Sequence, residues 1–171
     1  MGDLARSLRT PGDLTTPKGL ITFADETETI ALGELVEFCT AEDVYWTRDR
    51  DAGMWGMLLL QSRLLTARLR CPEGGAKGRL IGTTRVRSDG VYEAKLNDVV
   101  TAREFQGMGI ARELCRWAFR HPFVASASRF VLETHDAEGL YRKFGFTTAQ
   151  EQDTIHMRAH MSVLRAGGHL S

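Results

Sequence analysis

The stretch Leu96–Trp117, LNDVVTAREFQGMGIARELCRW, decides the fold. It begins as a strand, because Leu96, Val99, Val100 and Thr101 favour extended backbone. It turns through Gln106-Gly107-Met108-Gly109. It continues as a helix that sets Ile110, Leu114 and Trp117 on one face and Arg112, Glu113 and Arg116 on another. A strand, a glycine loop and a helix start therefore follow one another without a break. The first helical turn has N–H groups without internal acceptors and a partial positive charge. Glycines beside it let an anion approach the backbone with no Cβ in the way. The local physics is that of an anion cradle, of a size to take a diphosphate.

Two nucleotide-binding loops are excluded by spacing. A dinucleotide fingerprint needs a third glycine or alanine where Arg112 stands, which removes an oxidoreductase of that type. A P-loop needs Lys and Ser or Thr where Ile110 and Ala111 stand. What the loop does match is Gln106-x-x-Gly109-x-Ala111, which resembles the Q/R-x-x-G-x-G/A signature of the GNAT superfamily of acetyl-CoA-dependent N-acetyltransferases. A second segment, Leu132 to Phe146, ends in Leu140-Tyr141-x-x-x-Gly145-Phe146 and resembles that superfamily's L-Y-x-x-x-G-F. The two motifs come in the family's order, and the resemblance extends over most of the chain from about Gly19.

Working outward, Gly19 to Phe23 reads as a short strand, and Ile30, Leu32, Leu35, Val36 and Phe38 form the apolar face of a helix. Asp43 to Trp55 is irregular and aromatic. Leu64–Leu69 and Leu80–Val86 read as paired strands, followed by a turn at Ser88-Asp89-Gly90 and a long strand from Val91. Pro122 ends the central helix. Phe130–Leu132 is a strand, Ala137–Phe144 a short helix capped by Asp136 and closed by Gly145, and Phe146–His160 a closing hairpin. Residues 1–18 read as a mobile tail, 19–171 as one domain, and Arg165–Ser171 as frayed. The fold class is α/β of the α+β kind, with a mixed, mostly antiparallel sheet of about six to seven strands and helices on both faces. The resemblance adds a V-shaped split between two central strands.

Bulk properties agree with a small soluble domain. Lys plus Arg and Asp plus Glu are 22 each in 171 residues, so no basic excess points to nucleic acid. The longest apolar run, Met54–Leu60, is too short for a bilayer. Cys39, Cys71 and Cys115 show neither metal spacing nor a disulfide framework, which suits a cytoplasmic chain with no metal. A homodimer is left open.

The resemblance implies acetyl transfer from acetyl-CoA to a primary amine of a small molecule or peptide, by direct attack. It assigns the diphosphate cradle to Gln106, Gly107, Met108, Gly109, Ile110 and Ala111. It assigns the grip on the pantetheine arm to Val99, Val100 and Thr101, and a leaving-thiolate acid to Tyr141. The sequence offers its own sign of a bulge there. Tyr92, Ala94 and Leu96 alternate as a buried face, Asp98 falls on the same phase, and Val99-Val100 then breaks the alternation. A desolvated carboxylate gains basicity, so Asp98 is the first candidate base. Its other reading is a residue that only shapes the bulge. Glu93 is the reserve base, and His135 a further one against a surface reading. Tyr45, Trp46 and Trp55 are either core aromatics or the acceptor-site wall, with acidic Glu42, Asp43, Asp49 and Asp51 around them. Thr134 stands where many family members carry Asn. Cys115 reads as a buried thiol rather than an acyl carrier. The rival function is a non-catalytic module of the same fold that binds CoA or a protein partner.

Overall fold

The computed structural model describes residues 10–41, 44–71, 77–151 and 154–168. Among these, one sheet of eight strands runs in the order β1-β2-β3-β4-β5-β6-β8-β7. The strands are β1 (Leu14–Thr16), β2 (Gly19–Asp25), β3 (Arg63–Leu69), β4 (Arg79–Ser88), β5 (Glu93–Thr101), β6 (Arg129–Thr134), β7 (Thr147–Glu151) and β8 (Thr154–His160). All neighbours are antiparallel except β5 and β6. The helices are α1 (Leu32–Cys39), α2 (Ala52–Leu59), α3 (Ile110–Arg120), α4 (Glu138–Arg142) and α5 (Met161–Ala166).

The sheet separates two cores. On one face α1 and α2 cover β3 and β4, burying Leu35, Cys39, Trp55, Leu59, Leu64 and Leu80 together. On the other, α3 lies across β3, β4 and β5, with Ile110, Leu114, Cys115, Trp117, Ala118 and Phe119 buried. The 3.6-residue period of those six positions is why this segment is helical and why it sits on the sheet. Gly82 permits the approach. A Cβ there would meet Ile110 Cγ2 at 3.1 Å and Leu114 Cδ1 at 3.3 Å.

Two expectations are corrected. The loose arm does not extend to Lys18, since Leu14–Thr16 pairs with β2 through a tight turn in which Thr16 Oγ1 donates to the Gly19 carbonyl. The C-terminal end is not frayed from Arg165, since α5 reaches Ala166 and Leu164 is fully buried. Hence the strand number exceeds expectation: a three-residue strand carries too little alternation to be seen in sequence.

The parallel pair positions the site. β5 and β6 are in register only over Glu93–Lys95 against Arg129–Val131, although β5 runs on to Thr101 and β6 to Thr134. Beyond Lys95 they part, and a V-shaped opening separates them. Lys95 Nζ and Glu133 Oε1, 2.7 Å apart, bridge the two strands at its apex.

Candidate active site

Three local structures meet at this opening. The first is the bulge in β5. Arg85 faces Asn97 and Thr83 faces Val100, so Asp98 and Val99 oppose the single residue Thr84. Asp98 takes a left-handed φ of 49°, rare outside glycine. Beyond the bulge, Ala102 N–H donates to the Ile81 carbonyl at 2.8 Å. Strand alternation then turns the N–H groups of Val99 and Thr101 away from β4, toward the open edge. The Thr101 carbonyl on that edge accepts from Gln106 Nε2 at 3.3 Å, so the motif glutamine ties the glycine loop to the strand end.

The second is the glycine loop. Gly107 and Gly109 have φ of 77° and 87°, and a Cβ on either would meet nothing within 4 Å. The first i→i−4 bond of α3 is Glu113 N–H to the Gly109 carbonyl, so the N–H groups of Ile110, Ala111 and Arg112 have no intrahelical acceptor. Gln106, Gly107 and Gly109 are exposed, while Ile110 and Leu114 anchor the helix below. The donors are fixed from beneath and clear above, which fits a diphosphate.

The third is the turn at α4. Gly145, φ 87°, donates to the Arg142 carbonyl at 3.0 Å, and Phe146 N–H donates to the Tyr141 carbonyl at 3.3 Å. These are the paired bonds of a Schellman closure, in which the residues on either side of the turn make an apolar contact. Here that contact is Tyr141 with Phe146, ring centroids 6.0 Å apart. The spacing Y-x-x-x-G-F is thus the spacing of a helix closure that locks the tyrosine. At the other end of α4 Thr134 Oγ1, not Asp136, accepts from Ala137 N–H at 3.1 Å. The bond lies just ahead of the helix, whose N-cap Ala137 has no side-chain cap.

Tyr141 is 5% exposed, yet it lines a cavity of about 290 Å³ together with Asp98, Val99, Thr134, His135 and Asp136. Burial, reinforced by Cys115 and Asp136, holds its phenol well above the usual value. Tyr45 and Trp46, in a 3₁₀ turn, form the far wall and pack edge to face at 5.0 Å. His135 joins them, its ring 6.2 Å from Tyr45.

Two candidates fall elsewhere, and a third is at the cavity but otherwise engaged. Trp55 is 0% exposed in the core beneath α1 and α2, so it is no part of the wall. Glu93 lies at the start of β5, roughly 17 Å along the strand from the bulge, and its carboxylate is held by Arg129 at 2.6 Å. Asp98 does line the cavity, but Arg85 Nε donates to Oδ2 at 2.7 Å and Arg50 Nη1 lies 2.8 Å from Oδ1. With both oxygens engaged, this carboxylate holds the bulge closed. Its left-handed torsion turns it from the α3 side, where alternation puts it, to the α2 side where the arginines wait. Among the acidic cluster, Asp51 caps α2 by accepting from Met54 N–H at 2.8 Å, and Glu42 and Asp43 lie outside the described residues. Burial raises the Cys115 thiol inside α3, which leaves it without thiolate chemistry. Sequence reasoning missed Asp136 as a cavity residue. It is exposed, makes no ion pair among the described residues and borders Tyr141.

Residues 62–148, just over half of the chain, match the family model described as the acetyltransferase (GNAT) domain. The chain belongs to this family of acetyltransferases. It is 27% identical over 125 residues, covering 72% of this chain and 69% of the relative, to the uncharacterized N-acetyltransferase ycf52 of Porphyra purpurea. A putative GNAT acetyltransferase of Xanthomonas campestris pv. campestris superposes with a TM-score of 0.62 at 26% identity, over 75% of this chain and 85% of that one. Spermidine N-acetyltransferase of Vibrio cholerae, solved with CoA and spermine, has a TM-score of 0.65 at 18% identity, over 85% and 98%. This last likeness is one of fold alone. Among the described residues no helix is long and apolar enough to cross a membrane.

Proposed function

We propose that the chain is an N-acetyltransferase that passes the acetyl group of acetyl-CoA to a primary amine by direct attack. The observation that carries this reading is the convergence on one opening of free N–H groups at α3, free N–H groups at the β5 bulge, and Tyr141. The loop from Gln106 to Ala111 would hold the diphosphate. Val99 and Thr101 N–H would hold the pantetheine arm and receive the negative charge that develops on the thioester oxygen. As the C–N bond forms, a proton leaves the amine; as the C–S bond breaks, the sulfur takes up a proton from Tyr141. The phenol, kept neutral by burial, has that proton to give.

The base is reassigned. Asp136 and His135 line the cavity beside Tyr141 and carry no structural ion pair among the described residues, unlike Asp98 and Glu93. Either takes the amine's proton directly or through one water. The polyamine bound by the Vibrio cholerae neighbour puts polyamines among the acceptors to be tested.

The test is thiol release from acetyl-CoA with an amine library, followed by mass spectrometry of the product. Acetylated amine is expected. With Tyr141→Phe, kcat should fall about 10²-fold or more while acetyl-CoA affinity is kept. Acetyl-CoA binding without transfer to any amine would instead identify a CoA-binding module.

A further inference from the structure

The cavity at Tyr141 shares Arg50 and Asn97 as lining residues with an open groove of about 860 Å³ between α2 and the floor of β4 and β5. One wall of the groove is apolar: Met54 and Met57 are exposed on α2, and Leu58 is half-buried beside them. Methionines adapt to an apolar segment of varied shape.

The charges along this path are nearly all committed. Asp98 is shared by Arg50 and Arg85. Glu133 pairs with Lys95, and Glu93 with Arg129. Asp51 caps α2, and Asp89 Oδ1 accepts from three backbone N–H groups, those of Val91, Tyr92 and Glu93. Besides His135, two ionisable groups of opposite sign are left over. At the transfer end Asp136 borders Tyr141. At the far end Arg87 is exposed on the groove floor with no acidic partner among the described residues. The groove itself sets three guanidiniums, Arg50, Arg85 and Arg87, against the carboxylate of Asp51, while Asp98 of the Tyr141 cavity engages Arg50 and Arg85. Arg87 lies opposite Lys95 in the sheet, three residues of strand before Asp98, roughly 10 Å at the usual rise.

Resting on the function proposed above, we infer that the acceptor is a zwitterionic amine of defined polarity: its nitrogen lies at Tyr141 and Asp136, an apolar segment lies along α2, and an anionic group at the far end meets Arg87. Along the groove a polyamine finds the helix-capping carboxylate of Asp51 outnumbered by three guanidiniums, and it meets Arg87, which has no acidic partner among the described residues, at the end. Like-charge juxtaposition rejects it there, and a charge-assisted bond to Arg87 selects the anion.

The experiment compares three acceptors: the amidated peptides Ala-Leu-Leu-Glu and Ala-Leu-Leu-Lys, and spermidine. Kd is measured by calorimetry on the CoA-saturated protein, and kcat/KM by thiol release. The glutamyl peptide should be favoured over the lysyl peptide about tenfold or more, with spermidine weakest. Arg87→Glu, on an exposed side chain, should leave the melting temperature in place and reverse the order of the two peptides. Preference for spermidine or the lysyl peptide, a ratio unmoved by Arg87→Glu, or binding of neither peptide overturns the inference. Acetyl-CoA calorimetry separates the two levels: retained cofactor binding in any of those outcomes leaves acetyl transfer standing with a different acceptor, and absent cofactor binding removes both.

Discussion

Gly109 and Gly145 share a φ of 87°, and each sits at one end of a helix. Their surroundings are opposite. A Cβ at Gly109 would enter open space; one at Gly145 would come within 2.6 Å of Val163 Cγ1. At Gly109 the neighbouring N–H groups point outward with nothing to bond. At Gly145 the turn's own N–H groups are spent on the Arg142 and Tyr141 carbonyls. One left-handed turn leaves donors for a ligand, and the other consumes them to fix a side chain. The torsion alone does not say which; the fate of the N–H groups does. Asp98 is left-handed too, the one non-glycine among the described residues, and without glycine's freedom it depends on two arginines to hold it.

The largest effect expected from this contrast is at Gly109. Gly109→Glu should weaken acetyl-CoA binding about 10³-fold or more in calorimetry, because a carboxylate would stand where a diphosphate is expected. Undiminished binding would remove the cradle. Next comes Asp98→Asn. Asparagine tolerates the left-handed torsion but removes the charge, leaving Arg85 buried without a counterion, at a cost of about 3–5 kcal/mol in chemical denaturation. The folded fraction should keep turnover within about tenfold. A thousandfold loss of kcat at unchanged stability would restore Asp98 as the base.

A smaller and cleaner comparison is alanine at both glycines. Gly109→Ala and Gly145→Ala share the same torsional cost, about 1–2 kcal/mol. Only Gly145→Ala adds a collision with Val163, so it should lose about 1 kcal/mol more. In the Gly145→Ala/Val163→Ala double variant that excess should disappear while the torsional part stays. Equal losses in the two single variants would show that α4 gives way freely and does not lock Tyr141.

The sequence made the glycine loop, the bulge and the α4 closure legible, because each depends on contacts within a few residues. Alternation breaks at Asp98, periodicity begins at Ile110, and Gly145 follows Tyr141 at the interval a Schellman closure requires. What long-range packing decides stayed hidden. The occupancy of Asp98 depends on Arg50 and Arg85, which come from the loop before α2 and from β4. The choice between wall and core for Trp46 and Trp55 depends on how α2 lies on β3 and β4. Trp46 stays 41% exposed over the cavity, while Trp55 is enclosed with Leu64 and Leu80. No local pattern separates two tryptophans so close in sequence, because hydrophobicity is the same for both and only the approach of distant strands distinguishes them.

The smallest expected effect is the absence of one. A tyrosine in water loses its proton near pH 10, and an enzyme that used such a group as acid would slow as pH approached that value. Tyr141 differs because the same closure that makes Gly145 structural buries its ring. Burial disfavours phenolate and raises the pKa, with Asp136 acting in the same direction. A raised pKa keeps the protonated, proton-donating form present throughout the range in which the amine becomes deprotonated. kcat should therefore rise with pH as the base and the amine lose protons, then hold level to about pH 9.5 with no alkaline limb. A falling limb centred near pH 8 that survives in Tyr141→Phe would place the proton donor elsewhere in the cavity. A limb near pH 10 that vanishes in Tyr141→Phe would mean that the ring is far better solvated than the α4 turn allows. That result would weaken the distinction between an open glycine and a closed one.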